Sequence, residues 1–292
     1  MISFAKAHAC GNDFLIVTED AAAKHNWADL ARQLCARNTG IGADGVEFFA
    51  WTSSTSGRIR LHNADGSIAE ISGNGTRCVA AWMANEVNAQ PGDDLAIETD
   101  AGVRMCRIES RNGNAVEVTT GMGIPAFEPK TVSLPEGVSQ NVQPGLFRSF
   151  RWQKKTEDST IDGIVVSMGN PHFVIAAEDA LFKVDSKAWS VMGCEICMHR
   201  DFPNQTNVEF FHVAGPNEIE IRIWERGVGP TSSSGTGSSA AATAAIAQGL
   251  VHSPLRVVAP GGPQVVTWNG PGEELHLRGP ATLIARGEAW YE

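Results

Sequence analysis

The chain carries one pattern twice. Displaced by 162 positions, Val46-Glu47-Phe48-Phe49 falls on Val208-Glu209-Phe210-Phe211, and at the same displacement Ile59-Arg60 falls on Ile221-Arg222. No gap is needed. Ser72-Gly73-Asn74-Gly75 then falls on Ser234-Gly235-Thr236-Gly237, and a displacement of 158 brings Gly11-Asn12 onto Gly169-Asn170. Matches that keep their order over such a span are hard to obtain by chance, and the period is too long for a solenoid, so the chain reads as a duplicated domain. Its 292 residues exceed one usual core and suffice for two. The break is expected near Gly121-Met122-Gly123-Ile124-Pro125, where strand-like Val116–Thr119 gives way to turn formers. That places one half at residues 1–122, joined by C-terminal strands at 279–292, and the other at 123–278. Glu136–Gly145 reads as an exposed loop.

Each half has the same local logic. Gly45–Ala50 and Arg58–His62, with their counterparts Asn207–Val213 and Glu218–Trp224, mix β-branched and aromatic residues with partial alternation and read as strands. After a glycine-bearing loop, Gly75–Asn85 and Gly237–Gln248 read as helices that are apolar or small on nearly every face, the mark of a helix surrounded by protein. A mostly antiparallel sheet wrapped around a central helix accounts for both halves, which makes the expected fold mixed α/β (α+β) and pseudo-symmetric. One more helix is expected at Trp27–Arg37, with Asn26 as its N-cap.

Charge and composition narrow the function. A net charge of −10, without clustered Lys and Arg, argues against a nucleic-acid partner, so a small-molecule ligand is expected. Met1–Asn12 has no signal-like apolar core, and no stretch approaches the ~20 apolar residues of a membrane span; a cytoplasmic protein with no membrane partner is expected. Six cysteines scattered over a long chain do not suggest a disulfide framework. Cys194 and Cys197 form a lone C-x-x-C, read as structural, and no metal is expected. No lysine stands in a recognisable pyridoxal context, so no cofactor is expected either.

The repeated Ser-Gly-(Asn/Thr)-Gly lies where a loop becomes a buried helix. There, free backbone N–H groups and the positive end of the helix dipole attract anions, and glycine lets a ligand approach the backbone. Two such turns facing each other across a cleft could hold one carboxylate from two sides; plain capped helix starts are the alternative. Inverting a stereocentre by proton transfer needs a base on one face and an acid on the other, and a pseudo-twofold site supplies both. Ser72 and Ser234 hold the equivalent positions.

Taken in order, Gly11-Asn12-Asp13-Phe14, Gly40-Ile41-Gly42-Ala43-Asp44-Gly45, Asn63-Ala64-Asp65-Gly66-Ser67, Gly73-Asn74-Gly75-Thr76-Arg77-Cys78, Gly169-Asn170-Pro171-His172, Asn207-Val208, Glu225-Arg226-Gly227 and Gly235-Thr236-Gly237 resemble diaminopimelate epimerase over most of the chain. The resemblance implies two α/β halves, each wrapping a helix, and a pyridoxal-free isomerase, often dimeric, so a homodimer is an expected partner state. It also implies interconversion of the LL and meso forms of diaminopimelate, a precursor of lysine and peptidoglycan. Carried over by position, the substrate contacts are Asn12, Asn63, Asn170, Asn207, Glu225 and Arg226, with backbone donors from Gly73, Asn74, Gly235 and Thr236. A zwitterionic amino acid suits this set, since Arg226 can take a carboxylate and Glu225 an ammonium. For each Asn, turn chemistry is the competing explanation, and for His172 a hydrogen-bonded structural role competes with a catalytic one.

One departure from the family is chemically large. The two acid/base groups there are cysteines, and this chain has Ser72 and Ser234. A thiol starts near pKa ~8.5 and falls at helix starts, whereas a serine hydroxyl normally needs another group to take its proton. Cys78 lies six residues beyond Ser72, should point elsewhere, and reads as a small buried hydrophobe. Pro230 is a milder departure, standing where the family commonly has glutamate. Three readings stay open: a deliberate pair of Cys→Ser replacements that holds substrate without turnover, a branch that kept the pocket and changed its reaction, and an epimerase working through its serines. A catalytically silent amino-acid binding protein on the same scaffold is the competing function.

Overall fold

In a computed structural model the described residues are 1–69, 72–127, 140–142, 148–153, 160–182 and 187–291. The chain divides into two compact units, Met1–Gly121 with Arg278–Glu292, and Met122–Leu277.

The first unit is a sheet closed on itself. β1 (Ile2–Ala9), β2 (Asn12–Thr18), β3 (Gly45–Trp51), β4 (Ser56–Asn63), β5 (Ile68–Ala69), β6 (Asp94–Thr99), β7 (Gly102–Asn112) and β8 (Ala115–Gly123) follow in chain order, and β18 (Leu275–Ala289) returns at the end. Neighbours run β1-β2-β3-β4-β6-β7-β8-β18 and back to β1, with parallel pairs at β2–β3 and β4–β6. Closure removes the edges that an open sheet would expose.

Inside the ring lies α3 (Gly73–Glu86), buried continuously from Gly73 to Ala84. Its glycines and alanines let strands approach on all sides, while Val79, Trp82 and Met83 fill the ring with Ile16, Phe49, Leu61 and Ile97. Alternation along β3 sorts the two faces. Phe49 points in, whereas Val46 and Phe48 point out to a second core under α2 (Trp27–Cys35), beside the short α1 (Glu19–Ala22). Asn26 caps α2 as expected, its side chain accepting from the Asp29 amide, but the helix ends at Cys35 rather than Arg37 because the chain turns extended at Ala36.

The second unit repeats the plan. β10 (Arg148–Gln153), β11 (Thr160–Ser167), β12 (Pro171–Ala176), β13 (Asn207–Gly215), β14 (Glu218–Glu225), β16 (Leu255–Ala259) and β17 (Gly262–Thr267) pair in that order, with parallel pairs at β12–β13 and β14–β16; β15 (Gly229–Thr231) adds to β14. They surround α5 (Gly235–Ala247), buried from Gly235 to Ala245. α4 (Ala188–Cys197) covers the outer face as α2 does in the first unit, and its Trp189 stands 162 positions after Trp27. Sequence reading missed α4. Cys194 and Cys197 lie one turn apart on it with free thiols, Cys197 buried.

The expected loop Glu136–Gly145 is corrected in part: Gln140–Val142 forms β9, paired with β10, and the rest lies outside the described residues. The strand expected at Val116–Thr119 runs on to Gly123, since the ladder to β7 continues through Thr120. Both central helices begin two residues earlier than expected, at the residue after each serine. Among the described residues no helix is long and apolar enough to cross a membrane.

Candidate active site

In the first unit Asn12 is set by a two-residue hairpin. Ala9 pairs with Asn12, and the residues between them, Cys10 and Gly11, have φ of 51° and 81°. Two left-handed residues in succession make the primed turn that matches strand twist, and glycine accepts that conformation without strain. The Asn12 amide is then held at both ends: Nδ2 donates to Asp44 Oδ2 at 2.6 Å and Oδ1 accepts from Asn74 Nδ2 at 3.1 Å. Asn74 is fixed in turn by the buried guanidinium of Arg77, one helical turn on.

Charges support this corner. Asp13 meets Arg37 at 2.8 Å and Lys6 at 3.0 Å, and Arg37 reaches Asp44 at 2.6 Å. Burial pushes the Asp13 carboxyl up, but the bonds from Arg37 and Lys6 outweigh it and hold the group below the ordinary carboxylate range. Asn63, at the end of β4, donates to Ser67 Oγ at 2.9 Å, within the turn Asn63–Ser67. Asn12, Ser72, Gly73 and Asn74 are thus brought together around the start of α3, while Asn63 bonds within its own turn.

Ser72 is the N-cap of α3. Its backbone is extended (φ −126°, ψ 119°), and its Oγ accepts from the Gly75 amide at 3.0 Å. Ser234 caps α5 in the same way (φ −143°, ψ 130°), accepting from the Gly237 amide at 3.2 Å. The starts are therefore capped, and each cap takes only the third helical amide.

The second unit joins its candidates more tightly. Asn170 Nδ2 meets Thr236 Oγ1 at 3.5 Å, and Thr236 Oγ1 meets Ser234 Oγ at 3.4 Å. Asn207 donates to the Pro171 carbonyl at 3.0 Å and accepts from the Arg226 amide at 2.9 Å, fixing the loop that carries Glu225 and Arg226. The Arg226 side chain is exposed and bonds the Asn204 carbonyl at 3.2 Å. His172 is buried with both ring nitrogens engaged, Nδ1 to Glu209 Oε1 at 2.8 Å and Nε2 to Asn170 Oδ1 at 2.9 Å. Its bonds orient Asn170. Cys78 is fully buried inside the ring, and burial pushes its thiol up.

Two groups escaped sequence reading: the buried glutamates Glu47 and Glu209. Each sits on the inner face of its sheet, against the third residue of the central helix. A Cβ placed on Gly75 would lie 2.0 Å from Glu47 Oε1, and one on Gly237 would lie 2.9 Å from Glu209 Oε1. Burial pushes Glu209 up, partly offset by His172. Glu47 is fully buried, neither carboxyl oxygen has a hydrogen-bond partner among the described residues, and burial pushes it up to about 8. The signal was present in the repeat, since Val-Glu-Phe-Phe duplicates one charged residue inside an apolar strand. The tight contact also sets an expectation for Gly75. Gly75→Ala should destabilise by about 1–3 kcal/mol despite alanine's better helix propensity, and the loss should shrink when Glu47→Ala is added. Urea denaturation of the two variants checks this, and an unchanged midpoint for Gly75→Ala would refute the contact.

Comparison with known proteins agrees with these features. The family model described as diaminopimelate epimerase matches residues 4–126 and 164–284. A diaminopimelate epimerase of Halothermothrix orenii is 37% identical over 98% of this chain and 97% of its own length. That of Carboxydothermus hydrogenoformans is 34% identical, over 98% and 99% respectively. Among solved structures, a predicted epimerase from Pseudomonas aeruginosa superposes with a TM-score of 0.70 at 14% identity, covering 100% of both chains. A probable proline racemase from Agrobacterium radiobacter gives 0.67 at 15%, covering 100% of this chain and 94% of the other. At such identities the structures speak for the fold alone, and the fold is the one described above. The family match spans both units and both serine-capped helix starts, and this chain belongs to the diaminopimelate epimerase family, a family of isomerases.

Proposed function

We propose that the chain is a cofactor-free amino-acid epimerase acting on diaminopimelate in the cytoplasm, with Ser72 and Ser234 at the acid/base positions. Support comes above all from one observation: the same serine-capped, glycine-rich start opens the buried central helix of each unit. Gly73, Asn74, Gly235 and Thr236 would offer backbone donors to the substrate's reacting end. Asn12, Asn63, Asn170, Asn207, Glu225 and Arg226 would read its carboxylates and ammonium groups by charge and direction.

A second reading has its own support. Each serine hydroxyl is engaged as an acceptor by its own helix, and a capping hydroxyl is a poor proton acceptor at neutral pH. A chain that binds diaminopimelate and turns it over slowly fits that chemistry. Binding separates both readings from a different substrate. LL- and meso-diaminopimelate should each raise the thermal midpoint with concentration, as RT ln(1 + [L]/Kd) requires, and lysine, which lacks the second carboxylate, should not. A midpoint unmoved by either isomer at millimolar concentration would sink the assignment of substrate.

A further inference from the structure

Glu47 is an anomaly that the proposed reaction does not use. An unpaired buried carboxyl costs stability, yet this one sits at the centre of the first unit's ring. Its strand neighbours in register are Ile16 on β2 and Leu61 on β4, both apolar and both in the inner core. From α3 it faces Gly75, where a side-chain Cβ would lie 2.0 Å from Glu47 Oε1 and 3.2 Å from Ser72 Cβ, so carboxyl and serine crowd the same position. The titratable group that bears on it from α3 is the Cys78 thiol, itself pushed up by burial. The Arg77 guanidinium turns to Asn74 instead. In the second unit the equivalent carboxyl is bonded by His172 at 2.8 Å. Two copies of one contact, with only one of the carboxyls partnered, mark Glu47 as the group whose charge is free to change.

We propose that Glu47 is the positioning residue of the Ser72 helix start, its carboxyl against Gly75 setting whether that start accepts the anionic end of a ligand. This rests on the reading of the start as an anion site. While the carboxyl keeps its proton, the helix dipole makes the start of α3 positive. Ionisation places a negative charge directly beneath that end, inside a medium that screens poorly, and an incoming carboxylate is repelled. The burial that raises Glu47 to about 8 puts the change just above neutrality. The same strand position thus does two jobs in the two units: Glu209 orients His172, and Glu47 sets the potential at Ser72.

The test needs no amino acid. A thiol introduced by Ser72→Cys is alkylated with iodoacetate, an anion, and with iodoacetamide, its neutral analogue, from pH 6.5 to pH 10. The ratio of the two rates cancels thiol ionisation and reports the local potential; mass spectrometry assigns the label to position 72. The ratio should fall at least about threefold across this range with Glu47 present, and stay level when Glu47→Gln is added. A level ratio with Glu47 intact overturns the proposal without recourse to the second variant, and so does an equal fall in both chains. Failure of diaminopimelate to bind would strike the substrate assignment and leave this result standing.

Discussion

Placing thiols at both helix starts, through Ser72→Cys together with Ser234→Cys, is expected to raise α-proton exchange of diaminopimelate by about 10²–10⁴-fold, the usual worth of general acid–base catalysis. The two hydroxyls already occupy the N-cap positions, each 3.0–3.2 Å from the amide it accepts. A sulfur there keeps the side chain's direction and adds a group that ionises near neutrality at a helix start. Exchange of the α-position in deuterated water, followed by NMR for both isomers, measures the effect. The single replacements should give much less racemisation than the pair, because inversion needs a donor opposite the acceptor. If the double variant binds diaminopimelate but exchanges no faster than the serine form, the serines are not the acid/base positions.

Replacing Glu47 by glutamine should change how stability depends on pH, by a large amount for one atom. Glu47 has an ordinary value of 4.5 and is raised to about 8 in the folded chain. For an acid raised on folding, the native state holds its proton more tightly, so stability is intact below about 4.5 and drains away as pH climbs toward 8. At about 1.4 kcal/mol per unit, the loss amounts to about 5 kcal/mol as an upper bound. Glu47→Gln removes this contribution while leaving shape and the other titrating groups in place. The variant should therefore gain on the parent steadily between pH 5 and pH 8.5 in chemical denaturation, with the difference level above that. Parallel stability curves for the two chains would mean that Glu47 ionises as a solvent-exposed carboxylate does.

Much of the fold was legible because duplication tests each local reading twice. A strand that recurs 162 positions later beside the same helix start is no accident of composition, and the all-round small faces of α3 and α5 announced that each would be enclosed. α4 was missed for a physical reason. It lacks a side-chain cap, with Lys187 at its N-cap position, so the usual start signal is absent. Its likeness to α2 is one of place more than of residues. The serine positions, Asn12 and Asn74 were readable from the repeated glycine motifs, and the structure adds what joins them: Asp44, Arg37 and the buried Arg77. Glu47 and Glu209 were on the page inside Val-Glu-Phe-Phe. Spacing along a strand says which face a residue takes, but only the packed helix shows that the inner face carries a carboxyl against Gly75.

Two-base inversion needs one group on each side of the reacting carbon, and a pair of single replacements probes that most directly. Ser72→Cys alone and Ser234→Cys alone are each incubated with LL- and with meso-diaminopimelate in deuterated water, and the configuration of the centre that first takes up label is read. Opposed groups require complementary behaviour, one variant labelling the L-configured centre and the other the D-configured one. Labelling of the same configuration by both would place the two groups on one side of the carbon and contradict the account.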